Sequence, residues 1–99
     1  MALAKRIVDF CVEQKIPNAH EIREYVQLGG LLSYGASFYD IWHRSAYYID
    51  KLLKGGAKTN ELPVELPTAF DLAINLKAAR LLDARIPDGL VATADLVIE

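Results

Sequence analysis

Two histidines, one cysteine and a run of tyrosines carry most of the reactive side chains in this sequence. A metal site needs several convergent ligands, and the histidines do not supply that spacing. His43 stands between Trp42 and Arg44 with no histidine or carboxylate one helical turn on, and His20, followed by Glu21, reads as a loop residue. Cys11 is the single thiol, so neither a disulfide nor a thiolate zinc site can form within one chain. On the apolar face of a helix it reads as packing. No GxSxG, HExxH or phosphate-loop spacing occurs. These residues predict a protein that is not an enzyme and holds no metal or cofactor.

The tyrosines divide. Tyr34, Tyr39, Tyr47 and Tyr48 fall close together. The last three read as amphipathic filling at the edge of a core. Tyr34 differs, because it ends the run GGLLSYG beside Gly35, where backbone can approach a ligand closely. Open α/β sheets bind solutes beyond strand ends of this kind. Gly29, Gly30 and Gly35 are half of the chain's six glycines, more punctuation than a plain core strand needs. They do not make a dinucleotide fingerprint, since two of them precede the strand instead of opening a helix.

Periodicity supplies the elements that must position these residues. Leu3, Ile7, Phe10 and Cys11 lie at helical spacing, predicting a helix over 2–15 that ends ahead of Pro17. IPNAH is a short candidate strand, and EIREYVQLGG one or two helical turns halted by Gly29. A strand is expected over 31–35. Ser37 with Asp40 opens a helix over 37–54, whose stripe is Phe38, Ile41, Trp42, Ser45, Ile49, Leu52 and Leu53. Gly55 and Gly56 end it. A proline-punctuated connector, AKTNELPVELPTA, leads to a strand over 69–75 in which Phe70, Leu72 and Ile74 alternate with polar residues. A short helix over 76–83 follows, then a helical turn and a terminal strand. Alternating helices and strands predict an α/β layered fold in one domain over 1–99.

Composition sets the outer limits. The chain has 99 residues, enough for one small domain, and 53% are apolar, enough for a core. Eleven basic against thirteen acidic residues leave a formal charge of −2, with no footprint for nucleic acid or an anionic membrane. No apolar run approaches the length of a membrane span. Asp9 and Glu13 interrupt the N-terminal segment, so it does not read as a signal peptide, and the sequence as given predicts a cytoplasmic chain.

Three stretches carry a resemblance. REYVQLGGLLSYG, YYIDKLLKGGAKTNELPVELPTAFDLAINLKAARLL and RIPDGLVATADLVIE resemble the C-terminal third of a bacterial ABC transporter substrate-binding protein. The family is type I periplasmic-binding-protein-like and includes members for aromatic amino acids and sugars. The resemblance implies two Rossmann-like lobes joined by crossing segments, a periplasmic location, a permease and an ATPase as partners, and an amino-acid-like solute in the cleft. It makes GLLSYG a crossing strand whose glycines turn the backbone at a hinge, with Ser33, Tyr34 and Gly35 as ligand-binding residues. LPVELPTAFDLAIN becomes the return crossing. Four positions depart from the family pattern: PNAHE in place of a strand and glycine turn, Ala36 in place of proline, an added Gly56, and Asp83 where a glycine caps a helix.

The implied neighbours of helix 37–54 are not in this sequence. Burying one large apolar side chain is worth about 1.5–3 kcal/mol, so the uncovered stripe predicts a dimer or higher oligomer. Two functions follow: a non-catalytic solute-binding component supplying hinge and cleft residues, or a self-associating interaction module without ligand binding.

Overall fold

The computed structural model describes residues 3–99. The chain forms two compact units: the residues up to Gly35 with Asp71–Glu99, and the residues between, Ala36–Phe70. The first holds α1 (Ala4–Glu13), β1 (Ala19–His20), α2 (Arg23–Gln27), α4 (Leu76–Leu81), α5 (Asp88–Thr93) and β4 (Leu96–Ile98). The second holds α3 (Phe38–Leu53) and a single 3-10 turn at Thr59–Glu61. Strands β2 (Leu32–Ala36) and β3 (Phe70–Asn75) carry the chain from one to the other and back.

The strands form one mixed sheet in the order β1-β2-β3-β4. β1 runs parallel to β2, with Ala19 opposite Leu32 and His20 opposite Ser33. β3 runs parallel to β4, with Ala73 opposite Leu96 and Asn75 opposite Ile98. Between them β2 and β3 are antiparallel. The Asn75 amide donates to the Leu31 carbonyl at 2.9 Å, and the Ser37 amide to the Ala69 carbonyl at 2.9 Å. The sequence alternation in FDLAIN suggests a half-buried strand, but Leu72, Ala73, Ile74 and Asn75 are all buried. An inner strand covered on both faces loses the polar side that alternation implies.

The core of the first unit is small. Ile74, Ala73 and Val26 are fully enclosed, Val8 nearly so, and Leu31, Ala78, Ala79 and Leu82 pack with Ala84 and Ile86. Asn75 ties three elements together. Its Oδ1 accepts the Ala78 amide at 2.9 Å, capping α4, and its Nδ2 donates to the Val26 carbonyl at 3.2 Å. A buried amide with both ends partnered avoids the desolvation cost of an orphan.

Helix ends explain most boundary differences. The expected start of the first helix at residue 2 lies outside the described residues. Its end is Glu13, followed by Lys15 at φ 54. There the Ile16 amide bonds to the Cys11 carbonyl and the Lys15 amide to Val12, the paired pattern of a Schellman stop. The same pair recurs after α2, through Gly29 (φ 117) and Gly30. It recurs after α4, where Asp83 takes φ 54 and Ala84 bonds back to Ala79. Loss of the family's glycine at Asp83 therefore does not abolish the cap; aspartate takes the left-handed conformation itself. The helix accordingly ends at Leu81, two residues short of expectation.

The face that α1 buries also differs. Ala4 and Val8 are enclosed, Cys11 is half-buried, and Leu3, Ile7 and Phe10 remain exposed. The apolar arc is wide, and only its small-residue edge meets the rest of the unit.

In the second unit, Ser37 caps α3 through Oγ and the Asp40 amide. The polar side of the helix engages the connector. Arg44 donates from Nε and Nη2 to both Glu65 carboxylate oxygens at 2.7 and 2.6 Å. The Tyr48 hydroxyl donates to the Pro63 carbonyl at 2.6 Å. No residue of α3 is buried. Trp42 is 73% and Leu53 79% exposed, with Phe38 and Ile49 about half open.

Candidate functional site

β2 is the element that presents the candidate ligand residues. Alternation along the strand sends Ser33 and Tyr34 to opposite faces. Ser33 is 1% exposed, whereas Tyr34 is 60% exposed. Ser33 Oγ is buried and makes no hydrogen bond within the structure, an unusual state for a hydroxyl that costs free energy when unpaired. Gly35 follows in close contact with the corner that opens α2. A Cβ built there would stand 2.4 Å from the Glu21 carbonyl oxygen, so β2 lies against Glu21 only because residue 35 has no side chain.

His20, read from sequence as a loop residue, sits half-buried in β1 beside Ser33 on the neighbouring strand. Asn18 Oδ1 accepts the Leu31 amide at 2.9 Å and lies 2.8 Å from His20 Nε2. Two neighbours share one acceptor, which assigns the ring proton to Nε2. Tyr25 stacks on the imidazole with centroids 4.4 Å apart. Burial lowers the His20 pKa from its ordinary value. The sequence signal that reveals this group is the Asn-x-His spacing ahead of two glycines. Gly30 closes it: an added Cβ would meet the Tyr25 carbonyl at 2.8 Å and the imidazole at 3.0 Å. Gly29 and Gly30 thus terminate α2, and Gly30 admits His20.

A guanidinium fork guards the other crossing. Arg23 Nε donates to Asp71 Oδ2 at 2.8 Å, and its Nη2 pairs with Asp71 Oδ1. The hydrogen bond and charge of Asp71 raise the Arg23 pKa. Asp95 completes the end of β3 by accepting the Leu72 amide on Oδ2 at 2.9 Å and donating its own amide to the Leu72 carbonyl at 2.8 Å.

The remaining candidates lie elsewhere. His43 is exposed and stacks on Tyr39, itself 76% exposed. Tyr47 is open as well, with the Arg44 guanidinium 4.1 Å over its ring. Of the three tyrosines expected at a core edge, only Tyr48 is partly covered. Its hydroxyl pKa is raised, chiefly by desolvation. Glu65 is held below the usual carboxylate range, chiefly by the Arg44 hydrogen bond. Among the described residues no group of three or more His, Cys, Asp or Glu side chains could hold a metal ion. No described helix is long and apolar enough to cross a membrane. Chemically, β2 offers a buried hydroxyl and a phenol on a strand with little slack.

Residues 3–98 match the family described as ABC transporter substrate binding protein. Two solved structures share the architecture. A conserved domain protein from Vibrio cholerae O1 biovar El Tor superposes with a TM-score of 0.87 at 27% identity, covering 97% of this chain and 32% of that one. The ABC domain of Streptococcus pneumoniae in complex with L-Trp superposes with a TM-score of 0.80 at 29% identity, covering 93% of this chain and 32% of that one. No curated protein matches. The chain spans about a third of the length of these solved structures.

Proposed function

Because this chain belongs to the ABC transporter substrate-binding protein family, we propose that it is a non-catalytic binding component whose β2 contributes Ser33, Tyr34 and Gly35 to an amino acid site. The observation that carries the reading is the family match along residues 3–98, joined to a similar structure that holds L-Trp. The site chemistry supports it. The Tyr34 ring is open to a solute, and Ser33, buried on the opposite face of β2, holds the strand that presents it. The solute class is an amino acid, with aromatic side chains the first to test. A permease and an ATPase on the membrane are the partners, and the site of action is outside the cytoplasm, as for the family. Residues 1–99 stand for the C-terminal part of the two-lobed receptor.

Thermal-shift titration against amino acids, with L-tryptophan first, tests this. A solute at 100 times its Kd stabilises by about 2.7 kcal/mol. Tyr34→Ala and Ser33→Ala are expected to abolish the shift while leaving a cooperative melt. Flat curves across the panel count against solute binding, and loss of the melt in Tyr34→Ala makes that residue structural.

One observation favours a second reading, a self-associating module: α3 has no buried residue and an apolar stripe open along its length.

A further inference from the structure

α3 is covered along one side only. Ile41 and Leu52 are half-buried, on the flank where Arg44 and Tyr48 hold the connector through Glu65 and the Pro63 carbonyl. The outward row is Trp42, Ala46, Ile49 and Leu53, all exposed. Its steps of four, three and four residues are the spacing by which one helix seats its side chains between those of another. Beside that row, one above the other on the helix, stand His43 and Asp50. Both are exposed, and among the described residues neither side chain enters an ion pair. Asp40, Arg44 and Lys51 lie on the opposite side of the helix, so no charge interrupts the row.

We propose that this row docks on the α3 of a second copy of the chain, antiparallel about a twofold axis near residues 47–48. In that register Trp42 sits against the partner's Leu53 and Ala46 against the partner's Ile49, each contact occurring twice by symmetry. The small Ala46 leaves room for the branched isoleucine facing it. His43 comes opposite the partner's Asp50, and the imidazole N–H donates to the carboxylate at both ends of the seam; flanking pairs of this kind set orientation. A parallel pair would set Trp42 on Trp42, part His43 from Asp50 and align the two helix dipoles, each of them unfavourable. The occupant is a second copy because this one face supplies both halves of every contact. The pairing rests on the self-associating reading of α3 and gives it a geometry; it is independent of what β2 binds.

Sedimentation equilibrium of the whole protein over a concentration series tests it. His43→Asp and Asp50→Lys each destroy the matched pair and are expected to raise the dimer Kd by about three- to ten-fold, as two symmetry-related rim contacts would. Combined, the two substitutions rebuild an oppositely charged pair in reversed order, and the double variant is expected to return to within about two-fold of the parent. Ala46→Glu sets a carboxylate in the centre of the seam and is expected to give a monomer with unchanged far-UV circular dichroism, since no residue of α3 is buried. If Ala46→Glu unfolds, the charge exchange decides alone. A monomeric parent overturns both the pairing and the self-associating reading. A dimer that ignores Ala46→Glu, or single losses that do not cancel in the double variant, overturns this surface and register while self-association stands. A flat amino acid screen leaves these outcomes unaffected, so the pairing and the solute reading fail separately.

Discussion

His20 shows how one shared acceptor sets a tautomer while burial sets the charge. Asn18 Oδ1 faces both the Leu31 amide and Nε2, and burial disfavours the imidazolium. The folded chain therefore takes up its proton at lower pH than the unfolded chain, whose histidine titrates near its ordinary value of 6.5. Between those two values the unfolded state binds more protons, so the contribution of His20 is complete above about pH 6.5 and declines as pH falls through that window. Urea midpoints measured from pH 8 down to pH 5.5 are expected to fall less steeply in His20→Gln than in the parent. Parallel slopes would remove His20 from the acid response. The candidate residues were partly legible at this scale. Tyr34 and Gly35 stand out in sequence because a phenol and a glycine close a strand. The isolation of Ser33 Oγ does not, since it depends on which strands flank β2. In sequence His20 reads as a loop residue because its partners, Asn18 and Tyr25, become neighbours only through a two-residue strand and a short helix.

Helices α1, α2 and α4 end in one hydrogen-bond pattern, and two of the three ends place a residue with a side chain in the left-handed region. Those two, Lys15 and Asp83, approach within 3.5 Å. Both side chains are well exposed, at 65% and 82%, so their ion pair adds little. Relief of left-handed strain outweighs it. Lys15→Gly is expected to raise stability by about 0.5–1 kcal/mol after the added flexibility of the unfolded chain is subtracted. Asp83→Gly should gain less, because aspartate tolerates this conformation better than lysine. Equilibrium urea denaturation decides the matter; destabilisation by Lys15→Gly would mean that the ion pair outweighs the strain. Element positions were legible from periodicity, with α3 within a residue at each end, β2 shifted by one, and β3 starting one residue later than expected and ending where expected. The buried face of α1 was not, because Leu3, Ile7 and Phe10 satisfy the same helical spacing as the side that packs.

At the scale of the molecule, the mixed α/β class and the family follow from residues that run in order from the N-terminal helix to the last strand. The strand pairing does not follow from pattern alone; sequence spacing cannot tell that β2 and β3 run antiparallel between two parallel pairs. Apolar surface is the dominant unresolved force here. Phe38, Trp42, Ile49 and Leu53 are all 46% exposed or more, and Val64 and Leu66 are nearly bare. Removing such surface from water is worth about 25 cal/mol per Å², so the chain is expected to run as a dimer or larger species in light scattering at micromolar concentration. Trp42→Ser should shift it toward monomer. A monomeric mass for the parent would show that the stripe is tolerated in water and would weaken the module reading.

The rung from the Ser37 amide to the Ala69 carbonyl closes a loop on the order of thirty residues long. Tying such ends together costs about 3 kcal/mol of chain entropy. Local structure in α3 forms quickly and shortens the flexible span, whereas the pairing of β2 with β3 must wait for that search to succeed. Folding of the sheet is therefore kinetically hostage to the excursion it encloses: whatever stiffens residues 37–69 speeds the zipping of strands that contain none of them.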